Sequence, residues 1–265
     1  MIENKKEFKL IPKKNPKSLL PNALTIFGVC LGLSSIKFAI DANYAMSIIA
    51  IAFAAILDTL DGRVARLIKG TSKVGKELDS LTDVVSFGVA PSFIMYFWAL
   101  NELGKFGWML ALIYTVCCAL RLARFNLTSI NENELWKINF FEGVPSPAAA
   151  GLVLLPLIYT LTSFPQFENI STLSAPFIFL TSILMVTKIS TYSLKRIVIQ
   201  KHYAIFLLLG IGIYLSMIIF FTFETLFLTG ITYIFLIPIS FFHYKYKNKM
   251  SLTIIKEEED TDEIL

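Results

Sequence analysis

The sequence predicts an all-α, polytopic membrane bundle of about eight transmembrane helices. Three observations lead there. The 265-residue chain has a mean hydropathy of +0.65 and is 55% hydrophobic. Only 17% of its residues are charged, where an ordinary soluble domain carries about 25%. Its apolar residues arrive in long blocks and not at a 3.6-residue spacing, which is the pattern of membrane spans rather than of a soluble core.

Taken in order, residues 1–20 form a polar, lysine-rich segment. The apolar block that follows has no small-residue cleavage site, so direct insertion is expected instead of a cleaved signal peptide. Phe8, Leu10 and Ile11 among the lysines fit either a segment lying along the lipid surface or a basic leader. The first span is expected over residues 24–40. There Gly28 and Gly32 stand at GxxxG spacing and permit close helix approach, for packing or for a dimer contact. The second span, 44–67, carries Ala50, Ala52, Ala54 and Ala55 ahead of Asp58. The third and fourth cover 79–100 and 107–125. The fifth, 148–162, is short and contains Pro156, so a kink or an extension toward Val144 is expected. Blocks at 173–189, 203–221 and 225–242 supply the last three, and residues 246–265 read as a charged, solvated tail.

Basic residues set the orientation. With the N-terminus in the cytoplasm, the early lysines, then Arg63, Arg66 and Lys69, then Arg121 and Arg124, and finally Lys195 and Lys201 all fall on the inner side. Lys37 and Lys105 fall near outer ends. That asymmetry satisfies the positive-inside rule for a protein of the cytoplasmic membrane. The net charge of +4 is small and unevenly placed, so nothing supports a nucleic-acid partner. Cys30, Cys117 and Cys118 lie in apolar segments and give neither a disulfide framework nor a zinc pattern. With only two histidines, His202 and His243, nothing points to a histidine-based metal site.

Against this apolar background stand Asp58, Asp61, Asp79 and Asp83. Carboxylates near lipid are costly unless paired, hydrated or bound to cations. At about 100° per residue, Asp58, Asp61, Gly62 and Ala65 share an arc of roughly 100°, and Gly75, Asp79 and Asp83 share one of roughly 80°. Two such stripes, facing each other, concentrate negative charge that divalent cations would compensate. Hard oxygen donors without histidine or thiolate suit Mg²⁺ or Mn²⁺, and two such ions polarise a phosphoryl group. Gly62 and Ala65 leave space against the helix, and Arg66 is placed for a phosphate. The same residues leave other readings open: carboxylates merely hydrated at a cytosolic helix end, Arg66 as an orientation anchor, or a cation channel or carrier lined by aspartates.

The run Asp58-x-x-Asp61-Gly62-x-x-Ala65-Arg66, eight residues, Gly75-x-x-x-Asp79-x-x-x-Asp83 resembles the signature of the CDP-alcohol phosphatidyltransferases at every fixed position. The resemblance implies metal-dependent transfer of a phosphatidyl-type group from a CDP-linked lipid to an alcohol, with release of CMP. It implies Asp58, Asp61 and Asp79 as metal ligands. Asp83 would complete a second metal site and deprotonate the acceptor hydroxyl as the catalytic base. Asp61, Gly62, Ala65, Arg66 and Gly75 would hold the CDP-lipid, the small residues lining the cytidine pocket and Arg66 near the phosphates.

Further segments resemble the phosphatidylserine synthase branch: Pro21-Asn22-Ala-Leu-Thr25, Arg121-Leu-Ala-Arg124-Phe-Asn126, Gly143-Val-Pro145-Ser-Pro147, and residues 184–195. The likeness spans roughly residues 20–200. It frames a catalytic membrane core over 21–200, additional helices over 201–245 and a cytosolic tail over 246–265. It implies CDP-diacylglycerol and L-serine as substrates, acyl chains kept among the membrane lipids, a site facing the cytoplasm and a homodimer. Serine brings a carboxylate that Arg121 and Arg124 could clamp, with Asn126 beside them; both arginines could equally be orientation anchors. Glycerol 3-phosphate, inositol and choline remain alternative acceptors.

Overall fold

A computed structural model describes residues 19–68, 73–127, 140–165, 170–192 and 203–262. Its first two helices form a hairpin, α1 (Leu19–Ile40) and α2 (Tyr44–Leu67), which pack along their length. Ala42 takes a positive φ of 56° in the turn, and the Asn43 side chain caps α2 by accepting from the Met46 amide at 3.3 Å.

The third expected span starts earlier than its apolar block. Helix α3 (Lys73–Asp83) is polar, and the apolar part follows as a π-helical stretch, Val84–Val89, leading into α4 (Ala90–Trp98). Pro91 explains the interruption. It has no N–H to give the Phe87 carbonyl, and its ring clashes with that carbonyl in a regular helix. The Ala90 amide instead reaches back five residues to the Val85 carbonyl, while the Tyr114 hydroxyl donates to the freed Phe87 carbonyl at 3.0 Å.

Helix α5 (Lys105–Leu127) supplies Tyr114. Beyond it the expected fifth span is broken into α6 (Ser146–Val153) and α7 (Leu155–Thr160), with Pro156 in the first turn of α7. Helices α8 (Ser174–Val186) and α9 (Ala204–Phe220) follow, and α10 runs 41 residues from Thr222 to Asp262. The tail expected from residue 246 is therefore helical as far as Asp262.

One element lay outside the all-α expectation. Strand β1 (Phe140–Glu142) pairs antiparallel with β2 (Ser190–Tyr192), Phe141 opposite Thr191. Gly143 ends the ladder at φ 75°, donating its N–H to the Ile189 carbonyl at 2.8 Å. A Cβ there would sit 2.7 Å from the Met185 carbonyl oxygen, so the close approach admits only glycine. This seam pins the start of α6 to the end of α8.

Five helices among the described residues are long and apolar enough to cross a membrane: Leu20–Ile40, Tyr44–Leu67, Val74–Trp98, Lys105–Asn126 and Thr222–Lys247. Three of the eight expected spans fall outside this set. The segments Ile170–Val186 and Ala204–Phe220 are apolar but shorter; 17 residues reach roughly 26 Å, below a hydrocarbon core of about 30 Å. The α6–α7 break leaves no single long helix either.

The buried core gathers Phe87, Ile94, Tyr114, Val153, Ile178 and Met185 from the middle of the bundle, whereas α9 has no buried residue. Gly28 and Gly32 do their packing within the chain. Alanine at position 32 would bring its Cβ to 2.5 Å from Ser86 Oγ and 2.9 Å from Ser86 Cα, whereas at position 28 the nearest atom is Thr82 Cγ2 at 3.6 Å. Gly32→Ala is accordingly expected to lower stability by about 1–3 kcal/mol, and Gly28→Ala to change it by less than about 0.5 kcal/mol. Thermal unfolding in detergent checks the difference; equal effects would contradict the packing described.

Candidate metal and phosphate site

The inner half of α2 and the length of α3 carry the two stripes, and the fold sets them against each other. One carboxylate oxygen from each of Asp58, Asp61 and Asp79 can be chosen so that all lie within 4.8 Å of one another. No backbone constraint within either helix brings α2 to α3. Their meeting depends on α1, which packs on both.

Helix α1 also reaches the site chemically. The Thr25 hydroxyl lies 2.6 Å from Asp61 Oδ2 and 3.0 Å from the Pro21 carbonyl. A single hydroxyl hydrogen serves one acceptor at a time, and the shorter contact is to the carboxylate. Asp61 is buried at 4% exposure, so this bond satisfies one of its oxygens where water has little access.

Asp83, one turn beyond Asp79, lies outside the three-oxygen cluster but against it. Its carboxyl meets that of Asp58, and its Oδ1 is buried without a hydrogen-bond partner. A buried carboxyl oxygen with no donor is costly. Together with an all-oxygen donor set, it fits a hard cation better than a closed polar network.

The other expected residues divide. Gly62 has nothing within 4 Å of where a Cβ would stand, so the α2 surface beside Asp61 is open. Ala65 is half-buried on the same face, and Gly75 stands one turn before Asp79. Arg66 folds back along its own helix, its Nε donating to the Gly62 carbonyl at 2.9 Å. Arg121 is buried at 6% exposure, donates from Nη1 to Ser146 Oγ at 2.7 Å, and its charge is felt at Asp58 and Asp83. Its Nε is buried without a partner. Arg124 goes elsewhere: its Nη1 donates to the Val186 carbonyl at 2.7 Å, at the last residue of α8. Asn126 donates to Ser80 Oγ at 2.9 Å and so ties α5 to α3 beside Asp79. Of the three residues expected at a serine site, Arg121 and Asn126 stand by the carboxylates and Arg124 does not.

Thr25 and Ser146 were visible in the sequence only as members of motif-like segments, without a role. Tyr233, whose hydroxyl is buried near Arg121, carried no signal at all.

The model of the CDP-alcohol phosphatidyltransferase family matches residues 18–242, beyond residue 200 where the motif likeness ended. Among curated proteins, the CDP-diacylglycerol–serine O-phosphatidyltransferase of Mycobacterium leprae is 33% identical over 229 residues, 86% of this chain and 76% of its own. The enzyme of that name from Mycobacterium tuberculosis is 38% identical over 200 residues, 74% of this chain and 68% of its own. That from Helicobacter pylori is 40% identical over 183 residues, 69% and 76% respectively.

The Thr25–Asp61 bond is testable by itself. Thr25→Val keeps the shape and removes the donor, and it is expected to lower stability by about 1–2 kcal/mol in thermal unfolding. An unchanged midpoint would mean that the hydroxyl does not support Asp61.

Proposed function

The chain belongs to the CDP-alcohol phosphatidyltransferase family, and from that premise we propose that it transfers the phosphatidyl group of CDP-diacylglycerol to the hydroxyl of L-serine and releases CMP. The observation that carries this reading is the convergence of Asp58, Asp61 and Asp79 oxygens within 4.8 Å. The names borne by relatives 33–40% identical to the chain support serine as the acceptor.

In this reading Asp58, Asp61 and Asp79 hold one Mg²⁺ or Mn²⁺, and Asp83 completes a second site beside it. Ions bound there neutralise the diphosphate and polarise the phosphorus toward attack. The rest falls to the chain. Open space at Gly62, with Ala65 on the same face and Gly75 across from them on α3, lets the cytidine lie close to the backbone. Arg66 turns from the Gly62 carbonyl to the phosphates, where a guanidinium binds in bidentate fashion. Asp83 takes the proton of the serine hydroxyl. The serine oxygen forms its bond to the lipid-side phosphorus as the bond to the CMP oxygen breaks, and CMP leaves with that electron pair. Arg121 pairs with the serine carboxylate, while Arg124 and Asn126 steady the wall around it through Val186 and Ser80. Holding both substrates at one point supplies orientation as well as charge stabilisation.

The same reading puts the site at the cytoplasmic face of the cytoplasmic membrane, supported by the basic residues at the inner helix ends. Segments α6–α7, α8 and α9 then cross as well, for eight crossings in all, their short length met by local thinning of the bilayer. Residues 21–200 form the catalytic core, 201–245 the added helices, and residues 1–20 and 246–265 lie on the cytosolic side. A homodimer belongs to this reading on family grounds.

Purified protein with labelled CDP-diacylglycerol and a panel of serine, glycerol 3-phosphate, inositol and choline tests it. CMP release is expected with serine, abolished by chelator, and cut by about 10²–10⁴-fold in Asp83→Asn. Asp79→Asn is expected to be at least as damaging. Gly62→Leu is expected to keep its unfolding midpoint and raise the KM for CDP-diacylglycerol. Release on another acceptor and none on serine would overturn the acceptor; divalent-ion flux in proteoliposomes without CMP would favour a cation carrier.

A further inference from the structure

Helix α10 lies outside the two aspartate stripes, yet among the polar side chains it buries is one whose hydroxyl lies near Arg121. Tyr233 stands 11 residues beyond Thr222, packed against the core, its hydroxyl buried with no close hydrogen-bond partner and only a weak contact to the Thr191 hydroxyl. Beside it is Thr191 of β2, whose own hydrogen goes to the Gly143 carbonyl at 2.8 Å. Arg121 is near enough for its charge to act on the phenol. A small cavity of about 90 Å³, lined by Thr191, Tyr192, Tyr233, Leu236 and Ile237, adjoins the ring.

A buried hydroxyl held only by a weak contact forfeits part of the roughly 1–3 kcal/mol that a full hydrogen bond protects, and phenylalanine would fill the same space without that cost. Tyr233 is not alone in this. Asp83 Oδ1 and Arg121 Nε are buried without partners, and Arg121 is coupled electrostatically to both Asp83 and Tyr233. The three atoms differ in kind: one accepts, one donates from a cation, and one donates from a neutral phenol. An acceptor with one hydroxyl and one carboxylate matches that set.

We propose that Tyr233 is a specificity-determining residue of the acceptor subsite, donating its phenolic hydrogen to the carboxylate of the amino-acid acceptor alongside Arg121 Nε. The inference rests on the phosphatidyl-transfer reading above and extends it to α10. The acceptor's hydroxyl faces Asp83, and its carboxylate spans from the guanidinium to the phenol. The π-helical turn after Asp83 and the β1–β2 seam beside Thr191 frame the two sides of the subsite.

Tyr233→Phe tests this in the full-length protein. The KM for L-serine is expected to rise about ten- to hundredfold, the span of a lost hydrogen bond to a charged group. The KM for CDP-diacylglycerol is expected to stay within twofold. Inhibition by L-alanine, which has the carboxylate but no hydroxyl, should weaken by the same factor as serine binding. The unfolding midpoint without substrate should hold or rise, because a poorly satisfied hydroxyl has been removed. A serine KM within twofold of wild type overturns the inference while leaving phosphatidyl transfer intact. So does a lowered midpoint or a raised lipid KM, either of which marks the hydroxyl as structural. A wild-type protein that releases no CMP with serine overturns the functional reading and this inference together.

Discussion

Crowding of carboxylates inside an apolar bundle is the constraint around which this structure is arranged. Asp58, Asp61 and Asp79 present oxygens within 4.8 Å of one another, and each ionised pair at that separation repels by at least about 3.5 kcal/mol even at an effective dielectric of roughly 20. Protein groups offset part of this. Thr25 donates to Asp61, and the buried Arg121 guanidinium acts on Asp58 and Asp83 from a distance. One hydroxyl and one remote cation do not balance four acids. The remaining deficit is what suits the site to cations and, through them, to a diphosphate.

Holding like charges together requires a scaffold that cannot relax apart. Helix α1 provides it by packing on both α2 and the α3–π segment, with Gly32 giving Ser86 the room to approach. The Ser86 hydroxyl in turn donates to the Gly28 carbonyl at 3.3 Å. Directly after Asp83 the π-helical turn changes the phase of the helix, so α4 can bury Ala90, Pro91, Ser92, Ile94 and Met95 in the core while α3 keeps its acidic stripe toward α2. Tyr114 locks that turn through the Phe87 carbonyl. Stability and site geometry thus meet in the same few contacts, as π-bulges at functional sites commonly show.

Much of this was legible in the sequence, for a physical reason. Spacings of three and four put Asp58 with Asp61, and Asp79 with Asp83, on common faces whatever surrounds them. Apolar blocks marked α1, α2, α5 and the first part of α10 because lipid-facing and core-facing residues are alike in polarity. The start of α3 was missed because residues 73–78 are polar, and an apolar block ends where a site-lining helix does not. Pro156 foretold the α6–α7 break, whereas Pro91 produced a π turn that needed Tyr114 from another helix. The β1–β2 seam joins segments far apart in the chain and leaves no periodic trace. Spacing also could not tell where long side chains point: Arg121 and Arg124 sit three apart, yet one turns to Ser146 beside the acids and the other caps α8. Tyr233 lies in an apolar run where any aromatic reads as packing.

The claim most exposed to refutation is that the converging carboxylates bind hard cations. Titration of the detergent-purified wild-type protein with Mn²⁺, followed by electron paramagnetic resonance of the free ion, measures it without substrate or turnover. Saturable binding of two ions per chain is expected, displaced by Mg²⁺ and lost or weakened at least about tenfold in Asp79→Asn. No saturable binding to the wild-type protein, or equal binding to the Asp79→Asn protein, would contradict it.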